Sequence, residues 1–189
     1  AYLPLGHVDG QDDIFGASRV EGQMDMREAL GLLKPMLEDP AILKIGHNFK
    51  YDLGLLLRYG ISVAPFDDTL LMAYAMDGAQ NNTMEALANT WLGHIGMPIK
   101  DLIGSGRTQR TFAQVPIAEA ARYAGEDADI TLRLWHILKP RLPAEHVTTL
   151  YETLERPLAP VLARMEGRGI TVDRQILARL SSEFAHRAA

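Results

Sequence analysis

The spacing of apolar residues changes period several times along the chain, and each change marks an element. Residues 1–6, AYLPLG, read as a strand already inside a fold. In 25-DMREALGLLKPMLED-39 apolar positions recur every three or four residues, which predicts a helix that Pro35 bends or ends, because proline has no amide to donate. The run 41-AILKIGH-47 predicts a buried strand, and 48-NFKYDLGLLLRYG-60 a helix closed by Gly60. Next, 61-ISVAPFDD-68 is extended and delivers Asp68 as the cap of a helix over 69–78. In 82-NTMEALANTWLG-93, Asn82 and Glu85 have capping-box spacing. The stretch 103-IGSGRTQRTF-112 reads as a loop, and 115–139 as one long helix broken by 140-PRLP-143. Residues 151–189 give helix, the short extended GITVD, and helix, without strands. Alternating strands and helices predict a layered α/β domain with a boundary near Pro143 and a helical appendage after it.

Composition narrows the chemistry. With 189 residues and 47% hydrophobic content, the chain can bury one substantial core. No apolar run approaches the roughly 20 residues that span a bilayer. Zero cysteines exclude disulfides, thiolate zinc sites and cysteine nucleophiles, and fit a reducing cytosol. The six histidines never occur four apart, so a helical zinc pair is not expected. A net charge of −5 argues against a surface that coats a duplex by counterion release, so any nucleic-acid contact is expected to be local or cation-assisted.

Two constellations stand out. Asn48 and Asp52 lie one turn apart on one helix face, where a strand has just ended, which is where open α/β sheets bind ligands. Tyr123 and Asp127, in 123-YAGEDAD-129, share a face with Ile130, Leu134 and Ile137, whereas Asp129 and Arg133 form an ordinary surface pair. Taken alone, Asp52 reads as a cap or a buried hydrogen-bond partner, and Asp127 as half of an ion pair with a residue such as Arg122. Together, two inward carboxylates repel unless a hard cation joins them, which suits Mg²⁺ or Mn²⁺ and phosphodiester hydrolysis.

The motifs extend the reading. The segment 48-NFKYD-52 resembles the second exonuclease motif, and 123-YAGED-127 the third, of proofreading exonucleases whose metal site uses four acidic residues and a tyrosine. The helices 66-FDDTLLMAYAMDG-78 and 83-TMEALANTWLG-93 resemble those between and after these motifs. The segment 155-ERPLAPVLARMEGRGITVD-173 resembles the opening of the polymerase domain in the bacterial DNA polymerase I family, and not ribonuclease D.

The resemblance implies a ribonuclease H-like exonuclease domain over 1–143, a mixed sheet flanked by helices and truncated at its first strands. Residues 144–189 would be the first helices of a polymerase domain. It implies Asp52 and Asp127 as catalytic metal carboxylates, Tyr123 as the residue positioning the attacking water and touching substrate, and Asn48 as a contact to the 3′-terminal nucleotide. Asp68 is expected only as a cap, and His47 as a lining residue. Arg107 and Arg110 are solvated loop residues or phosphate contacts, and Tyr2, Trp91 and Trp135 are core. The family's first motif, Asp-x-Glu, has no counterpart before AYLPLGH, so the two-metal site would be incomplete and the fragment alone nearly inactive. The parent would copy DNA and remove mispaired 3′ ends of single strands in the bacterial cytoplasm. The rival reading is a domain that has lost catalysis and serves as scaffold or DNA-binding module. Apolar faces after Pro143, including Leu154, Leu158, Val161, Leu162 and Met165, are expected to dock back on the core or pair with a second copy.

Overall fold

The computed structural model describes residues 1–9, 18–106 and 109–188. Residues 1–6 do not form the expected strand; β1 is Val8–Asp9, paired antiparallel with β2, Ser18–Arg19. Pro4 brings no amide to a ladder, and side chains fasten the segment instead. His7 Nδ1 lies 2.8 Å from the Val115 carbonyl. A carbonyl only accepts, so His7 donates there and its Nε2 accepts from the Tyr2 hydroxyl at 2.5 Å.

Asp25 starts α1, Met26–Glu38, by accepting from the amides of Arg27 and Glu28, and Pro35 is carried inside the helix. Strand β3, Lys44–Gly46, leads into α2, Phe49–Leu57, and the chain returns as β4, Phe66–Asp68, parallel to β3 in the register Lys44↔Phe66 and Gly46↔Asp68. Parallel pairing demands a crossover, which α2 supplies. Helix α3, Thr69–Met76, follows at once. Helix α4, Met84–Leu87, is capped by Thr83 rather than Asn82, because the Thr83 hydroxyl is the group that reaches the Ala86 amide. A wider turn over Ala88–Leu92 closes it at Gly93. Then come α5, Ile99–Ile103, and α6, Ile117–Ala144.

Helix α6 does not break at Pro140, and it carries both Pro140 and Pro143. The carbonyls of His136 and Lys139 lose their helical donors, but Leu138 and Leu142, buried to 0% and 1% exposure, hold the turn in place. Burial of such a side chain contributes roughly 1.5–3 kcal/mol, enough to offset one lost rung. After α7, Thr148–Leu150, and a wide turn over Tyr151–Glu155, α8 spans Arg156–Arg168 and α9 Arg174–Ala188. No described helix is long and apolar enough to cross a membrane.

The main core joins α3, α4 and α6 through Met72, Leu87, Ile130, Leu134 and Leu138, and takes in Tyr151 from beyond α6. A second core sets Phe49 and Leu53 of α2 and Phe66 of β4 against Ala159 and Ala163 of α8. Helix α8 therefore docks through its small residues, while the expected Leu154, Leu158, Val161 and Met165 stay exposed. Alanines allow two helix backbones to approach closely, which the leucine face does not. Helix α9 is exposed from Arg174 to Arg187.

The strand pleat sends neighbouring residues to opposite faces. In β4 it aims Asp68 and Phe66 towards α2, and Asp67 towards α6. Asp67 is 1% exposed and is reached by Trp135 Nε1 (2.8 Å), the Tyr151 hydroxyl (2.9 Å), Arg156 (3.0 Å) and Lys139 (3.1 Å). Burial alone would raise its carboxyl, but the bonds from Trp135, Lys139 and Tyr151, with the Lys139 charge, outweigh that and hold it below the ordinary range.

Asp67→Asn should destabilise the chain by about 3 kcal/mol, the low end for breaking a buried pair because Lys139 and Arg156 keep access to water. A carboxyl lowered on folding stabilises above its unfolded value and loses that contribution as pH falls through the folded one. Urea titrations should therefore show the gap between wild type and Asp67→Asn shrinking below pH ~4. A second expectation concerns Gly46. A Cβ there would lie 2.7 Å from Phe49 Cε2 and closer still to Cδ2, and Phe49 is fixed in the core. Gly46→Ala should cost roughly 1–3 kcal/mol, read as a lower urea midpoint at unchanged slope.

Candidate functional site

The strand-to-helix turn that presents Asn48 and Asp52 is built by Asp68. Its carboxylate, 1% exposed, accepts from the amides of Asn48 (3.0 Å) and Phe49 (2.8 Å) at the start of α2, and from Leu70 (2.9 Å) and Leu71 (3.4 Å) at the start of α3. One side chain thus caps two helices, where the sequence indicated one. Its own amide donates to the Tyr151 hydroxyl at 3.0 Å. Burial raises the Asp68 carboxyl against the pull of the four amides.

Asn48 occupies the left-handed region at φ 56°, which lets the chain turn sharply from β3 into α2, and its side chain makes no capping bond. Asn48 is exposed, and Asp52 in the first turn of α2 is half-buried. Burial, and then the charge of Asp68, raise the Asp52 carboxyl.

Tyr123 and Asp127 occupy adjacent turns of α6, both half-buried. Burial raises Asp127, hydrogen bonding from Tyr123 pulls it partly back, and the charges of Glu85 and Glu126 push it up again. Burial and then the Asp127 charge drive the Tyr123 hydroxyl up to about 12, so it stays protonated and acts as a donor. No ion pair between Asp127 and Arg122 forms among the described residues. Glu126 instead pairs with His94 (2.8 Å) and accepts from the Met97 amide (3.0 Å), pinning the loop before α5.

Glu85, to which sequence reasoning gives no place in the site, and His47, expected there only as a lining residue, connect the halves. Glu85 on α4 is near enough for its charge to act on His47, Tyr123 and Asp127. The sequence offers Glu85 only as the capping-box partner of Asn82, whereas the cap is Thr83, one residue on. His47 bonds through Nδ1 to the Thr69 hydroxyl at 2.9 Å, and burial brings its pKa down to about 4, so it is neutral at physiological pH. Of the residues set aside as core, Trp135 bonds Asp67, Trp91 lies under the Arg141 guanidinium at 4.5 Å, and Tyr2 meets His7. Arg110 donates to the Leu102 carbonyl at 2.7 Å and so braces α5; Arg107 lies outside the described residues.

The donor set is of hard oxygens, the type that Mg²⁺ and Mn²⁺ take. It is not gathered into a complete cage: among the described residues no group of three or more His, Cys, Asp or Glu side chains is placed to hold a metal ion. Asp68 is committed to four amides, which leaves Asp52 and Asp127 as single carboxylates on two helices.

A family profile described as 3′-5′ exonuclease matches residues 13–143. The chain is 54% identical over its full length to the DNA polymerase I of Rhizobium leguminosarum, covering 19% of that protein. It is 38% identical to that of Pseudomonas aeruginosa over 99% of the chain and 20% of the relative, and 36% to that of Chloroflexus aurantiacus over 100% and 19%. The chain spans about a fifth of the length of these curated relatives. On the profile match over residues 13–143 and the identity to these relatives, the chain belongs to the 3′-5′ exonuclease family found in DNA polymerase I.

Proposed function

We propose that the chain is the proofreading region of a bacterial, cytoplasmic DNA polymerase I that copies DNA and hydrolyses mispaired 3′-terminal nucleotides from single strands. Residues 1–143 are the exonuclease domain and 144–189 the first helices of the polymerase domain; the family match over 13–143 supports that division. The observation carrying the reading is the placement of two burial-raised carboxylates, Asp52 and Asp127, on helices whose flanking groups His47, Tyr123 and Asp127 all sense Glu85.

Asp52 and Asp127 would each offer one carboxylate to Mg²⁺ or Mn²⁺, alongside oxygens of the substrate and of water. Bound there, a divalent ion supplies charge neutralisation for the carboxylates and the scissile phosphate. The chain's own residues do the rest. Tyr123, protonated and donating to Asp127, accepts from the attacking water through its hydroxyl oxygen, which leaves the water's lone pair turned to phosphorus. Asn48 holds the terminal nucleotide with an amide that no helix cap consumes. His47 stays neutral and holds the Thr69 hydroxyl, fixing the floor of the turn.

Set in a polymerase chain of the relatives' length, Asp127→Asn should lower 3′-5′ hydrolysis of a labelled single strand in Mg²⁺ by at least about 10²-fold to 10³-fold, the cost of losing one group that stabilises transition-state charge. Indifference to this change would favour the scaffold rival.

Stability should move the other way. A carboxyl raised on folding contributes fully below its unfolded pKa, and that contribution is lost as pH rises through the folded value. Metal-free Asp127→Asn should thus melt above wild type at neutral pH and level with it in acid, and added Mg²⁺ should stabilise wild type more than the variant. His47 has the opposite sign. With a folded value of about 4 against 6.5 unfolded, the unfolded chain binds more protons between them, so stability falls as pH drops across that window. His47→Gln should flatten that slope in a series of denaturant titrations.

A further inference from the structure

A concentrated basic surface lies along α2, on the face turned away from Asp52. Helix α2 runs from Asn48 and Asp52 to Arg58 at its C-terminal end, about 9 Å further along the axis. Beside it, α8 packs Ala163 close, and two cavities of about 270 and 330 Å³ share Gly54, Arg58, Ala163 and Gly167, so they are two halves of one groove. A third, of about 370 Å³, continues past Arg58 to Arg27, Lys34 and Tyr59. The floor is open: a Cβ on Gly54 or on Gly167 would meet nothing within 4 Å.

The charges on this groove are one-sided. Lys50, Arg58, Arg164, Arg168, Arg27 and Lys34 line it, against the single acid Glu166, in a chain of net charge −5. Glu166 is already taken by Lys50 at 2.5 Å, and Lys34 pairs with Glu38 at 3.3 Å. Among the described residues Arg27, Arg58, Arg164 and Arg168 enter no salt bridge. Arg27 also feels the Asp25 carboxylate, but Arg58, Arg164 and Arg168 around the connected groove have no acidic partner at contact distance among the described residues and suit an anion longer than one group. Guanidinium forks match phosphate oxygens in two-point contacts.

We infer that the groove between α2 and α8, continued past Arg58, is a docking track for the phosphodiester backbone of a DNA strand leading away from Asn48, to which a cavity of about 200 Å³ lined by both Asn48 and Lys50 connects it. This rests on the reading of Asn48 as the contact to the terminal nucleotide. Two features favour a nucleic acid over an acidic peptide. Guanidinium groups recur along its length as phosphates recur along a backbone, and Tyr59, 47% exposed, with Tyr51, 73% exposed, stands among the cations as a flat surface for a base. An electrostatic track of this kind releases counterions, so its affinity falls steeply with salt.

The test is fluorescence anisotropy of labelled oligo(dT) with the full 189-residue chain in EDTA, where no strand is cut, at several salt concentrations. The combined variant Arg58→Glu, Arg164→Glu, Arg168→Glu should weaken binding at least tenfold and lower the salt slope by about 2, from about 0.7 per lost phosphate contact on a single strand. Gly54→Gln fills the groove without altering charge and improves helix propensity. It should weaken binding several-fold at unchanged slope, and it decides the matter alone if circular dichroism shows the triple variant unfolded. Titrations of folded variants that superimpose on wild type, or no binding by wild type, overturn the track. So does poly-glutamate binding as tightly as oligo(dT), which would assign the groove to an acidic protein segment. Loss of binding in these variants, together with hydrolysis indifferent to Asp127→Asn, would leave the track standing and remove the exonuclease site.

Discussion

Asp67 is a negative charge taken out of water, and the arrangement of the chain around it follows from the need to neutralise it. An isolated buried carboxylate costs far more than any single contact returns. Here two cations, an indole and a phenol converge on it from α6 and from the residues after α6. Those donors come from positions separated by 68 to 89 residues in sequence from Asp67, so the carboxylate is satisfied only when β4, α6 and the start of α8 are all in place. Removing any one of these elements leaves charge exposed to a medium that cannot solvate it.

The strand pleat connects that requirement to the candidate site. Asp67 faces the cation cluster, while Asp68 faces the N-termini of α2 and α3, and the Tyr151 hydroxyl touches both, donating to the Asp67 carboxylate and accepting from the Asp68 amide. The orientation of Asn48 and Asp52 thus traces back through Asp68 and Tyr151 to a buried ion cluster formed largely by residues with no role in chemistry. Tyr151, beyond the exonuclease family match, thus helps set the turn that carries Asn48 and Asp52.

Much of this was legible in the sequence, and the rest failed for identifiable reasons. Helical periodicity located α1, α2, α3 and the body of α6 within a few residues, and Asp68 was recognisable as a cap because a short acceptor before an apolar helical run has few other uses. Its second duty, at α2, depends on parallel pairing of β3 with β4, which local pattern does not encode. Asp67 was invisible because its partners are remote. Pro140 was read as a stop because propensity is local, whereas the buried Leu138 and Leu142 decide otherwise. The docking face of α8 was misassigned for the same reason: leucine marks burial on average, yet close approach to α2 selects Ala159 and Ala163. Glu85 joined the site only once α4, α6 and β3 were brought together.

The two prolines in the last turns of α6 also have a mechanical meaning. Two neighbouring rungs of the ladder are missing there, so this is where the 28-residue rod is most compliant. Lys139, inside the same weakened stretch, is anchored to Asp67 and Glu152. A soft joint clamped to the body acts as a strain relief: a pull on whatever follows residue 144 bends the joint before it turns the rod. Tyr123 and Asp127, three to five turns towards the other end, are therefore insulated from movements of the chain downstream.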